Sequence, residues 1–142
     1  MPDKSISLNY KKITLANGAV VFRPIIRIEL AYADRSIVVP CAALVDSGAD
    51  WCFLKAEIGE ILGINIESGE LIEYQGISGE KAKGYIHRVH LVVANKGVDI
   101  PAIFTRNIPK GATQVVGQIG FFENFKVNFD YQKKSVVLRP KN

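Results

Sequence analysis

From Ile26 the chain alternates. Ile26, Ile28, Leu30 and Tyr32 are apolar with Arg27 and Glu29 between them, the period of a strand with one buried face. "ADRS" (33–36) reads as a turn, and "IVVPCAALV" (37–45) returns as a strand rich in β-branched residues. Pro40 marks an edge or a bulge there, because it has no N–H to give to a ladder. A short strand follows in "WCFL" (51–54). The period then lengthens: in "KAEIGEILGI" (55–64) Ile58, Ile61 and Leu62 share one helical face, and Gly63 suits the C-terminal cap.

Strand-like flanks resume in "LIEYQGISGEKAKGYIHRVHLVV" (71–93), around a polar segment with Gly76, Gly79 and Gly84. This predicts a long hairpin with a mobile tip. "NKGVDIPAIFT" (95–105) is a turn and a further strand. A short strand ends at Gly117, a brief helical or turn segment follows, and a hairpin closes through "DYQKK" (130–134). Near the start, "ITLANG" (13–18) predicts a small extra hairpin. Many short strands with one helix argue for a compact all-β barrel or sandwich.

Composition narrows the function classes. The chain has 142 residues, 48% hydrophobic and 23% charged, which suits one domain with its own core. The net charge of +4 is spread out, with bunching only in "YQKKSVVLRPKN" at the end. That cluster reads as a turn and a solvated tail. A nucleic-acid surface would need a dense basic face, and a single-strand binder an aromatic stripe interleaved with Lys and Arg. Cys41 and Cys52 lack CxxC spacing and are expected as buried thiols in a reducing cytoplasm. The first twelve residues hold no apolar secretion signal, and no stretch of about 18 apolar residues occurs. The expected location is cytoplasmic, with no membrane and no nucleic-acid partner.

The chemistry concentrates in "CAALVDSGADWCFL" (41–54), where an apolar strand runs into Asp46 and then Ser47-Gly48-Ala49-Asp50. A carboxylate leaving water at a strand end is costly unless something pairs with it or shares its proton. Turn chemistry alone also explains Asp-Ser-Gly, since an Asp side chain bonds nearby amides. Asp50 reads equally as a solvated turn acid. Ser47 lacks the G-x-S-x-G setting of a nucleophile. His87 and His90, three apart on a strand, fall on opposite faces, which is poor for joint metal binding. Asp130 starts the last hairpin turn, and Trp51 is core or interface.

Three features recur in order: the strand ending in Asp46-Ser47-Gly48-Ala49, the hairpin around Gly76-Ile77-Ser78-Gly79, and Val115-Val116-Gly117 before a short helix and a last hairpin. Together they resemble the retropepsin-like aspartic proteases, single-domain relatives of pepsin that include the retroviral proteases. The likeness runs from about residue 23 to 140, leaving 1–22 as an N-terminal extension or extra hairpin before a domain over 23–142. Three departures stand out: Ser47 where Thr is commoner, Gln118 where retroviral relatives tend to have Arg, and a longer, more charged flap.

The resemblance implies a closed β-barrel with one or two short helices and an aspartic endopeptidase. Asp-Ser-Gly occurs once in the chain, whereas that chemistry needs two facing carboxylates, so a homodimer would supply the second Asp46 across a twofold axis. The two would hold one proton between them, as the aspartic proteases used as a worked case in protein electrostatics do. The resemblance further implies that the Ser47 hydroxyl locks the two active-site loops together, with Ala49 supporting the loop, while Gly48, lacking a Cβ, lets backbone approach the dyad. Asp50, Leu44, Gly76, Ile77, Ser78, Gly79, Val115 and Val116 would contact an extended peptide or unfolded protein, with no cofactor and no metal. The competing reading is an inactive dimeric peptide-binding or scaffold module of the same fold.

Overall fold

A computed structural model describes residues 4–76 and 78–141. Ile77, expected at the flap tip, lies outside the described residues.

The alternating segment folds as β4 (Ile25–Ala31), with Ile26, Ile28 and Leu30 at 3%, 0% and 0% exposure. It pairs antiparallel with β5 (Val38–Val45), where Pro40 stands opposite Glu29. Among the described residues the other edge of β5 is used only from Ala43 to Val45, by β10 (Gln114–Val116), so Pro40 sits where that edge has no described neighbour. A proline costs a strand nothing there, because no partner awaits its N–H.

The main sheet continues through β6 (Phe53–Lys55), β9 (Lys96–Thr105), β8 (Lys81–Val93) and β7 (Glu70–Gln75). Residues 29–31 of β4 also pair with His90–Val92 of β8, so the sheet returns on itself as a ring of six strands with β7 outside it. The long β8–β9 hairpin turns at Ala94 and Asn95, whose φ values are +53° and +67°. Positive φ at both turn residues matches the twist of the flanking strands. The ring encloses Ile28, Leu30, Leu54, Leu91, Ile100 and Phe104, each no more than 1% exposed. Burying a side chain of this kind contributes about 2 kcal/mol.

Pairing resumes after the hairpin tip at Lys81, opposite Gln75. Gly84 therefore lies inside β8 and not in a loose tip. A Cβ there would stand 2.4 Å from Ile103 Cγ2, so only glycine fits.

The helix is shorter than its sequence period suggests. α1 spans Ala56–Ile61, and Ile61, expected on the buried face with Ile58 and Leu62, is 59% exposed. Gly59 supplies the close contact instead: a Cβ on it would stand 2.7 Å from Ile66 and 2.8 Å from Phe104. Six residues give less than two turns, so the face is set by where Gly59 lets the helix settle.

The ends of the chain meet. β1 (Ile6–Asn9) pairs with β12 (Ser135–Pro140), which also pairs with β11 (Phe125–Asp130). Ile6 and Leu8 pack against the core, while β2 (Lys11–Thr14) and β3 (Val20–Arg23) form a separate hairpin. Asp130 Oδ1 accepts the Lys133 amide in the last turn. Among the described residues no helix is long and apolar enough to cross a membrane.

Candidate active site

Asp46 is the first residue beyond β5. Its own N–H donates to the Val116 carbonyl at 3.0 Å, carrying the β5–β10 ladder one step further. The chain then turns: the Gly48 N–H donates to Asp46 Oδ1 at 2.9 Å and the Ala49 N–H to the Asp46 carbonyl at 3.2 Å. The half-buried carboxylate is thus held by the turn it begins.

The segment just after β10 fixes that turn from outside. Gln118 N–H donates to the Ala49 carbonyl at 2.9 Å and Ile119 N–H to the Asp50 carbonyl at 2.8 Å. A Cβ on Gly117 would stand 2.5 Å from the Ala49 carbonyl oxygen and 2.4 Å from that of Trp51. Glycine at 117 is what lets the two segments touch. The Gln118 side chain adds a bond from Nε2 to the Ser47 carbonyl at 2.8 Å. Beneath them Cys52, fully buried, receives the Gly117 N–H at 3.4 Å, and burial pushes its thiol up to about 11.

A cavity of about 650 Å³ opens beside Asp46. Gly48, Ala49 and Val115 line it together with Gly76 from the β7–β8 hairpin. Alternation along β10 sends Val115 to the cavity and Val116, 1% exposed, into the core. The two neighbours expected to share the wall therefore part company. Leu44, beside Val115 on β5, is half-buried and outside this lining. Asp50 lines an adjoining cavity of about 390 Å³ with Trp51 and Tyr74. Ser47 is exposed and contributes its carbonyl to Gln118, while Ser78 and Gly79 are exposed at the tip. There the Ser78 hydroxyl donates to Glu80, and that bond, then Glu80's own amide, lowers the Glu80 carboxyl below its ordinary range.

Much of the wall comes from residues the motifs do not name. Phe53 and Tyr74 pack ring against ring at 4.9 Å, and Ile108, Pro109 and Ala112 face them from the loop after β9. That loop is tied to the hairpin: the Tyr74 hydroxyl donates to Thr105 Oγ1 at 2.9 Å, Thr105 donates to the Lys83 carbonyl, and Asn107 accepts the Lys83 N–H. An Ile-Pro pair inside a polar loop (108–109) is the sequence signal that could have marked it. His87 and His90 go separate ways, to the Ile66 carbonyl and to Asp99.

No protein-family model matches the chain, and no curated protein sequence matches it. Among solved structures, a retropepsin-like aspartic protease from Rickettsia conorii superposes with a TM-score of 0.61 at 18% identity, over 94% of this chain and 98% of that one. EIAV protease complexed with the inhibitor HBY-793 aligns with a TM-score of 0.49 at 17% identity, over 67% of this chain and 81% of that one. The first of these likenesses shows that the chain has the retropepsin-like fold.

Proposed function

We propose that this chain is an aspartic endopeptidase whose active site forms between two copies, each contributing Asp46. One observation carries the reading. The single Asp-Ser-Gly carboxylate is held by its own turn at the edge of a 650 Å³ cavity that a β-hairpin also lines. That arrangement suits an extended peptide passing between the hairpin and the Asp46 turn. Such a peptide binds as an added strand, with side chains entering the pockets.

In the dimer two Asp46 carboxyls share one proton, because both cannot ionise cheaply at close range. The ionised member takes a proton from the water that lies between them. The resulting hydroxide attacks the peptide carbonyl, and the protonated member hydrogen-bonds the carbonyl oxygen as charge builds there. Collapse of the tetrahedral intermediate breaks the C–N bond, with a proton delivered to the leaving amine. Ser47 joins the two turns across the axis, and Asp50 contacts the substrate backbone. The work is done in the cytoplasm, where Cys41 and Cys52 stay as thiols.

The test is cleavage of an unstructured protein at mildly acidic pH by native protein and by Asp46→Asn. The Asn variant keeps the turn but removes both the base and the shared proton. Its activity should fall by at least about a thousandfold with the fold intact, within the range of about 10²–10⁴ that general acid–base catalysis contributes. Equal cleavage by both forms discards the aspartic mechanism. Peptide binding with no cleavage by native protein replaces it with the scaffold reading.

A further inference from the structure

One peptide unit joins Gln118 to Asp46. Its carbonyl belongs to Ser47 and accepts from Gln118 Nε2 at 2.8 Å, while its N–H belongs to Gly48 and donates to Asp46 Oδ1 at 2.9 Å. We propose that Gln118 is a positioning residue for the Asp46 carboxylate, acting through the Ser47–Gly48 peptide. The proposal rests on the aspartic reading above.

The bond to the Ser47 carbonyl does two things. It fixes the plane of the peptide, so that the Gly48 N–H stays aimed at Oδ1. It also polarises the peptide, which makes that N–H a stronger donor. A stronger donor on a carboxylate favours its ionised form. Gln118 can do this from an exposed position because its root does not move: its own N–H is bonded to Ala49, and Gly117 before it is wedged against two carbonyls. Water competes for an exposed amide, and a fixed root limits the entropy lost in keeping the bond. A glutamine also suits the chemistry. It supplies a donor without net charge, whereas a lysine or arginine would bring a full positive charge near a pair that must retain a proton.

The titratable groups that line the cavities beside Asp46 are Glu73, Tyr74, Glu80 and Lys81 on the hairpin and Asp50 in the same turn, and Cys52 is buried beneath it. Gln118→Met leaves all of them in place and adds no titratable group, so a changed titration in that variant reports on Asp46 and its peptide.

The experiment compares native protein with Gln118→Met, which keeps the stem and loses the donor, and with Gln118→Glu, which can donate only when protonated. In Gln118→Met without substrate, the Gly48 amide proton should move upfield and exchange faster. Its kcat should fall about fivefold to tenfold with KM changed less than about twofold, the scale of one hydrogen bond. The acid limb of its pH profile should shift upward, because the ionised form has lost support. Gln118→Glu should match native protein at the acid end and lose activity as its own carboxyl ionises. An unchanged Gly48 resonance in Gln118→Met overturns the proposal. So does a kcat that falls only in step with the folded fraction while the acid limb stays fixed, the mark of a merely structural residue. If native protein cleaves nothing, the aspartic reading is what fails, and the Gly48 resonance still decides whether Gln118 acts on Asp46.

Discussion

A Cβ on Gly48 would stand 3.2 Å from Oδ1 of Asp46, the same oxygen that receives the Gly48 N–H. That spacing is tight but clears backbone, and Gly48 does not have the positive φ that demands glycine. Gly48→Ala should therefore cost little stability, less than about 1 kcal/mol by urea unfolding, since a single methyl is being added at an exposed turn. Its cost should fall on the carboxylate, which must shift to make room. A misplacement of this kind lowers kcat by about tenfold to a hundredfold. Native-like kcat in Gly48→Ala would show that the orientation of Oδ1 does not matter.

A site completed by a second copy responds to concentration. Activity per milligram should fall on dilution and return when protein is concentrated, following the monomer–dimer balance. Sedimentation measured over the same range should give the same midpoint. Constant specific activity from a species that sediments as a monomer excludes a shared dyad.

The Tyr74 hydroxyl bonds the buried Thr105, which in turn holds Lys83 on the hairpin and the backbone of Asn107 on the facing loop. Tyr74→Phe keeps the ring against Phe53 and deletes only the hydroxyl. Stability should drop by about 1 kcal/mol, the net worth of one hydrogen bond. Amide exchange should speed up on both sides of the cavity, near residues 82–84 and 106–108. Faster exchange on only one side would mean that Thr105 does not couple the two walls.

Cys52 sets a pH dependence at the alkaline end. Burial raises its thiol from the ordinary 9.0 to about 11. A group raised by folding leaves stability intact below its unfolded value, and that stability is lost as pH climbs through the folded one. The unfolding free energy measured in urea should hold to about pH 9 and fall between about 9 and 11, by up to roughly 2–3 kcal/mol for a two-unit shift. Burial also raises Cys41 and Tyr10, so the comparison that counts is with Cys52→Ala. That variant should lose this share of the alkaline decline. Parallel curves for the two proteins would assign the decline to other groups.

The sequence carried the fold further than it carried the pocket. Strict alternation in β4 announced its buried face, and the apolar run into Asp46 announced a strand ending in an acid. Both signals are local, written in residues one or two apart. The cavity wall is not written that way. Ile108, Pro109 and Ala112 sit in a loop with no period, and only the β8–β9 pairing, which sets Thr105 opposite Gly84, brings that loop beside the hairpin. The same holds for Gln118, whose partner Ser47 lies 71 residues away in sequence. Ile61 failed for the opposite reason: the helical period was present, but a six-residue helix takes its orientation from one glycine contact.

Closing six strands into a ring also decides where this molecule is vulnerable to aggregation. In the ring each strand has a partner on both sides over part of its length, so among the described residues of the main sheet the unpaired backbone lies on the outer side of β7 and in stretches such as those around Pro40 and the start of β9. β7 carries exposed Glu70 and Glu73 along its length and the exposed apolar Leu71 between them. Two copies meeting along that strand would bring like charges together, and charged edges of this kind discourage runaway strand addition. The edge stays available to a single extended chain that lacks such charges, and it is guarded against another copy of itself.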